Sequence, residues 1–202
     1  MITINIMNRR GMTIVELMTV MSIVAILVVM GSLSMDMIRK ERIKSTSREL
    51  FADLQRLRTD AMIQGPTTTV PNPQGLGIRL ESKSNYTLFK FNDTSGNYFY
   101  DGVAEEAEQI PKALPSTVIM NVKVGPAAPV DPINTVFAFD HFGFARYGTV
   151  GADWVVVEDD AASANSLLLI LKDVTKSLPM RCIHVGSNRM REGVWNGVTC
   201  SE

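Results

Sequence analysis

The sequence predicts an α+β protein in which one long N-terminal helix carries an antiparallel β-sheet domain. Three observations lead there. No charged residue stands between Leu17 and Met35, a run of roughly the 20 residues that cross a bilayer as a helix. No proline or glycine interrupts the chain between Ser32 and Gln64. From Thr67 onward, short β-prone runs alternate with Gly, Pro, Asn and Asp, the texture of strands joined by turns.

The first element begins in NRRGMTIVELMTVMSIVAIL, Asn8 to Leu27. It sets a glutamate, Glu16, at the head of an apolar run, where an ionised carboxylate costs about 2.5–3.5 kcal/mol if it reaches the bilayer centre. A cleaved secretory signal has a shorter apolar region followed by small residues at the cut. This run leads instead into a long, charged, helix-forming segment, so residues 12–35 read as a membrane span.

Over residues 36–64 the pattern becomes amphipathic. Ile43, Leu50, Leu54, Leu57 and Ala61 recur at helical spacing and share one face, while Arg48, Asp53, Arg56 and Asp60 fall mostly elsewhere. Gly65-Pro66 stops the helix. The expectation is a continuous helix from about Met12 to Gln64, on the order of 80 Å long at a rise of 1.5 Å per residue. Gly31 is a place where it can bend.

The remaining residues, 65–202, read as an antiparallel sheet packed on the amphipathic half of the helix. Its expected strands are LGIRLE, NYTLFKF, STVIMNVKV, TVFAF, FGFARYG, SLLLILK and MRCIHV. Turn-rich pieces such as PNPQG, NDTSGN and GPAAPVDPIN separate them.

A formal net charge of −1 over 202 residues argues against a general nucleic-acid surface, so any DNA affinity has to come from a local patch. The two cysteines, Cys182 and Cys200, match no zinc spacing. Beyond a membrane span the compartment is oxidising, and a single disulfide closing the C-terminal loop is the simple reading; two buried free thiols are the alternative. His141 and His184 have no triad or metal-ligand spacing. Glu158, Asp159 and Asp160 form an acidic turn that a calcium ion could use, and Asn92 opens a sequon-like NDT that also marks a turn. No phosphate-binding glycine loop and no catalytic constellation is read from the sequence, so no cofactor and no enzyme are expected.

RRGMTIVELMTVMSIVAIL resembles the N-terminus of type IV pilins and type II secretion pseudopilins. In that pattern a short basic leader ends in a glycine, and glutamate is the fifth mature residue inside an apolar helix. Cleavage would fall between Gly11 and Met12, which removes residues 1–11 and keeps the span. Most members begin the mature chain with phenylalanine, and Met12 departs from this. MITINI is not typical of such leaders, and a start at Met7 gives a shorter one. Farther on, TVFAFDHFGFA, SLLLIL and RCIHVGSNRMR are similar to the GspH/FimT group of minor pilins and pseudopilins.

The resemblance implies a structural subunit rather than an enzyme: a minor pilin that helps initiate or cap a type IV pilus. A type II secretion pseudopilin is the near alternative. Its implied partners are a prepilin peptidase that also methylates the new N-terminus, other pilin or pseudopilin subunits, the inner-membrane assembly platform and inner-membrane lipid. The Met12 amine and Glu16 would form an assembly ion pair, with Glu16 meeting the N-terminus of a neighbouring subunit. The implied location is the inner membrane, single-pass with the C-terminal domain in the periplasm, and then the filament. Arg39, Lys40, Arg42 and Lys44 beyond the span outnumber Arg9 and Arg10 before it, so a positive-inside count favours the opposite orientation. The leader outweighs that count, because its peptidase acts on the cytoplasmic side. In FimT-like proteins a Gly-Arg-x-Arg is linked to DNA capture. Here Arg189 and Arg191, with Arg181 nearby, would form a basic patch on a turn-rich segment held by the disulfide. Asn188 replaces the glycine, and it too tolerates left-handed backbone angles.

Overall fold

The computed structural model describes residues 13–63, 74–92, 100–140, 142–149, 154–160, 163–175 and 180–201. Helix α1 runs unbroken over Ile14–Ile63. The strands are β1 (Gln74–Leu80), β2 (Asn85–Asn92), β3 (Glu106–Ala113), β4 (Val118–Val124), β5 (Thr135–Phe139), β6 (Ala145–Thr149), β7 (Val155–Val156), β8 (Leu167–Asp173), β9 (Met180–Val185), β10 (Met190–Trp195) and β11 (Cys200–Ser201). Among the described residues, every strand pairing is antiparallel. The α+β layout of a long apolar helix followed by antiparallel sheets is the expected one.

The chain divides into two compact units, one ending at Ile38 and one running from Arg39 to Glu202. In the first, Ile14 to Met30 is exposed around the whole helix, and the helix is long and apolar enough to cross a membrane. Helices that are apolar on every side belong in lipid or in a core.

In the second unit, the spacing of apolar residues on α1 decides the packing. Ile43, Leu50, Leu54, Leu57 and Ala61 are all buried, and they join one cluster with residues of two different sheets. One sheet has the order β3-β2-β1-β5-β6-β7, the other β11-β10-β9-β8-β4. Ile78, Leu80, Leu88, Phe137 and Phe139 come from the first; Met120, Val122, Leu169, Leu171, Ile183 and Val185 come from the second. One helix face is therefore the common floor of both sheets.

Each sheet also has a small apolar layer on its other face. On the first, Phe89, Phe91, Tyr100 and Trp154 cluster over strand glycines: a Cβ on Gly77 would stand 2.6 Å from Phe89 Cζ, and one on Gly75 would overlap the Phe91 ring. The rings lie where the strands have no side chains. On the second, Leu168, Ile170, Cys182 and Trp195 form the layer.

Three features differ from the sequence expectation. The strands form two sheets rather than one. β3, β7, β10 and β11 were not expected; β3 is a polar edge strand bearing Pro111, and edge strands tolerate both. FGFARYG splits, because Gly143 at φ 79° turns the chain and the strand begins only at Ala145.

Leu54 is fully buried at the centre of the shared face. Leu54→Ala is expected to cost about 2–5 kcal/mol, read as a lower denaturant midpoint at unchanged slope.

Candidate functional site

Two regions carry the residues singled out above. At the N-terminal end, Gly11 and Met12 lie outside the described residues, while Glu16 lies in the first turn of α1. The Glu16 N–H donates to Thr13 Oγ1 at 3.2 Å, and the Thr13 N–H points back to Glu16 Oε2 at 3.5 Å. This reciprocal pair is a capping box, which satisfies donors that a helix start leaves open. The Thr-x-x-Glu spacing was there in the sequence to be read. Deeper in the apolar half, Thr19 Oγ1 donates to the Glu16 carbonyl at 2.9 Å and Ser22 Oγ to the Met18 carbonyl at 2.8 Å. Their hydroxyls are thus satisfied within the helix, as an apolar surrounding requires.

At the C-terminal end, β9 and β10 form a hairpin edged by β11. A disulfide joins Cys182 of β9 to Cys200 of β11, with Cα atoms 5.8 Å apart across a sequence separation of 18. Between them runs β10, with Gly193 opposite Cys182. A Cβ on Gly193 would stand 3.1 Å from Cys200 Sγ and 2.8 Å from the Ser201 carbonyl carbon. Glycine there lets the last strand close over the hairpin.

The hairpin does not gather the three arginines. Arg191 is not in a turn but in β10, opposite His184, while Arg181 pairs with Val194 and Leu171. Arg181 and His184 are three positions apart on one strand, so they face opposite sides. Arg181 therefore lies on the face away from Arg191. Arg189 sits exposed in the connecting turn. That turn closes through the Gly186 N–H donating to the Arg189 carbonyl at 2.9 Å. Asn188 does not supply a left-handed residue: among the described non-glycine residues only Asn134 has positive φ. What holds the turn is Asp159, whose Oδ1 accepts the Asn188 N–H at 3.1 Å.

The acidic turn is thereby engaged in local bonds. Glu158 accepts from Ser163 Oγ and, at 3.1 Å, from Asn165 Nδ2, and these bonds hold its carboxyl below the usual range. Asp159 and Asp160 also face His184. Burial pushes the His184 pKa down, Arg191 pushes it further, and the two aspartates oppose the shift. Carboxylates beside Arg191 dilute the positive potential that a phosphate-binding patch needs. His141 lies outside the described residues.

A third constellation was not read from the sequence. Asp53 on α1 accepts from Lys112 Nζ at 2.9 and 2.7 Å and from the Tyr86 hydroxyl at 3.0 Å. The Asp53 bonds raise the Lys112 pKa, and burial raises that of Tyr86. Asp53 and Lys112 edge a cleft of about 280 Å³ between α1 and β1–β3, with Leu57, Leu88 and Ile110 among its walls. Nothing local in the sequence singles this constellation out, since Asp53 is one of several acids on the amphipathic half of the helix and its partners lie 33 and 59 residues away.

Residues 6–32 match the family model described as the prokaryotic N-terminal methylation motif. No curated protein and no solved structure matches the chain.

Two outcomes are expected. Reduction, or Cys182→Ser with Cys200→Ser, releases the unfolded chain from a closed loop and costs roughly 3 kcal/mol. At about 2–4 °C per kcal/mol for a chain of this size, Tm falls by roughly 6–12 °C, checked by thermal unfolding. His184 titrates lower in the folded chain than its ordinary 6.5. Above that pH both states are neutral and the group contributes nothing. Below it the unfolded chain takes up a proton first, so stability falls until the folded value is passed. His184→Gln removes this decline from denaturation curves measured between pH 5 and 7.

Proposed function

We propose that this chain, a type IV pilin-like protein with the N-terminal methylation motif and the α+β pilin layout, is a minor pilin that helps initiate or cap a type IV pilus. The observation that carries the reading is Glu16 inside the matched segment, at the head of an exposed apolar helix. Cleavage after Gly11 would create an α-amino group on Met12, four residues before Glu16 in the sequence. An unpaired carboxylate is costly among packed apolar helices, and an amine from a neighbouring subunit removes that cost. The pairing sets the axial register between subunits and favours addition of the next one. Until that partner arrives, the Thr13 contacts hold Glu16 at the head of the helix.

In this reading the prepilin peptidase is the first partner, and the apolar half of α1 anchors the chain in the inner membrane. The sheet domain lies in the periplasm before entering the filament by way of the assembly platform. The protein acts through contacts and carries out no chemistry of its own. The Arg181, Arg189 and Arg191 set offers no single face to a DNA backbone, so DNA capture is not part of the proposal.

Glu16→Ala is expected to leave leader removal intact and to reduce incorporation into sheared filaments at least tenfold. Immunoblots of filament and membrane fractions check this. Full incorporation of the variant would overturn the assembly role of Glu16.

A further inference from the structure

We propose that the end of the sheet domain nearest Arg39 is a docking surface for anionic phospholipid headgroups. The inference rests on the membrane-anchored reading above and adds to it a contact made by the second compact unit itself.

The cations stand where the chain leaves its apolar run. That run ends at Met35, and Arg39, Lys40, Arg42 and Lys44 follow within nine residues, against the acids Asp36 and Glu41. From Arg39 to Lys44 the helix rises about 7.5 Å, close to the depth of one headgroup layer. Two of the four are engaged within the chain: Arg39 with Asp173 at 3.5 Å and Lys44 with Glu41 at 3.8 Å. Lys40 and Arg42 are exposed, and among the described residues neither stands in an ion pair. Arg42 Nη1 meets a neutral acceptor, Thr117 Oγ1, at 3.4 Å, which leaves its charge uncompensated. Two positions apart on a helix, Lys40 and Arg42 lie on different flanks of α1, so together they reach lipid on both sides of it.

Arg39 serves the same surface by fixing a loop. Asp173 Oδ1 accepts from Arg39 Nη1 and, at 2.8 Å, from the Thr175 N–H, while Arg39 also donates to Thr175 Oγ1. Between them the Val174 N–H donates to the Thr117 carbonyl at 3.0 Å, and the Val174 side chain is 51 % exposed. Leu171 pairs with Arg181, and Met180 with Trp195, so β8 and β10 finish at the same end of their sheet. The turn after β10 therefore projects past that end too. There Asn196 Oδ1 accepts the N–H groups of Val198 at 2.9 Å and Thr199 at 2.7 Å, and Val198 is held 72 % exposed. Apolar loop tips beside outward cations are the combination that membrane-surface binding uses, since buried apolar area and attraction to anionic lipid add. Both tips are fixed by hydrogen bonds beforehand, which lowers the ordering cost of docking.

Position decides in favour of lipid. Lys40 follows the last residue of the uncharged run by five positions, so with the apolar half in a bilayer the headgroups are always within reach. Cations beyond the span run against the positive-inside count, and a headgroup contact gives them a use there. The far end of α1, at Met62, is roughly 33 Å along the helix from Lys40 and has no such access.

The test uses the full chain in vesicles of phosphatidylcholine, with or without phosphatidylglycerol, containing a headgroup-attached spin label. A fluorophore on Val198→Cys is the reporter and one on Phe142→Cys, near Met62, the control; the native cysteines are already bonded. The ratio of quenched to unquenched reporter is expected to be at least fivefold higher with phosphatidylglycerol, since each cation near an anionic surface contributes about fivefold. Lys40→Gln with Arg42→Gln should abolish the difference while Tm stays within about 2 °C, and so should molar salt. Lys40→Arg with Arg42→Lys should keep it. Equal quenching in the two lipids, quenching retained by the glutamine pair, or equal quenching at Phe142→Cys overturns the proposal. Alkaline carbonate extraction separates the two readings. A chain that stays in the vesicles without lipid-dependent quenching defeats this contact alone, and a chain that is extracted defeats the membrane-anchored reading.

Discussion

The fold depends on one buried helix face. Leu50, Leu54, Leu57 and Ala61 repeat at three and four residues, and both sheets rest on the stripe they form. A single sheet on a helix leaves its other face to water or to loops. Here each of the two sheets reaches the same helix and keeps a small apolar layer on its far side, built from Phe89, Phe91, Tyr100 and Trp154 in one and from Leu168, Ile170, Cys182 and Trp195 in the other. Losing the helix face would unseat both sheets at once, whereas losing either outer layer would weaken one.

The same helix has two solvents. Up to Met30 its side chains are exposed and apolar all round, and its hydroxyls turn back onto their own backbone. From Ile43 on, it is amphipathic and packed. Glu16 is the exception in the first half, and the physics of that exception carries the functional reading. A carboxylate there demands a cation, and proteolysis at Gly11 would make one four residues away.

Features set by local periodicity or by breakers were legible before the structure: the helix face, the apolar half, and strands such as Thr135–Phe139, found at its expected bounds. Features that depend on long-range pairing were not. Whether strands make one sheet or two is not written in any one of them. The segment around Arg189 and Arg191 reads as turn-rich, yet β10 pairs along its whole length with β9. The placement of the arginines is likewise geometric: spacing along the chain puts Arg181 near Arg191, while the pleat sends them to opposite faces. Asp53 found its partners only through packing, and Asp159 became the clamp of a turn nearly thirty residues away.

In the proposed reading this chain is processed at Gly11–Met12 and enters a filament through its new N-terminus. The most direct measurement is mass spectrometry of sheared surface filaments, reading the N-terminal peptide of this chain. The expected result is recovery of the chain beginning at an N-methylated Met12. A chain that retains residues 1–11, or one cut after the apolar run so that Glu16 is lost, would contradict it.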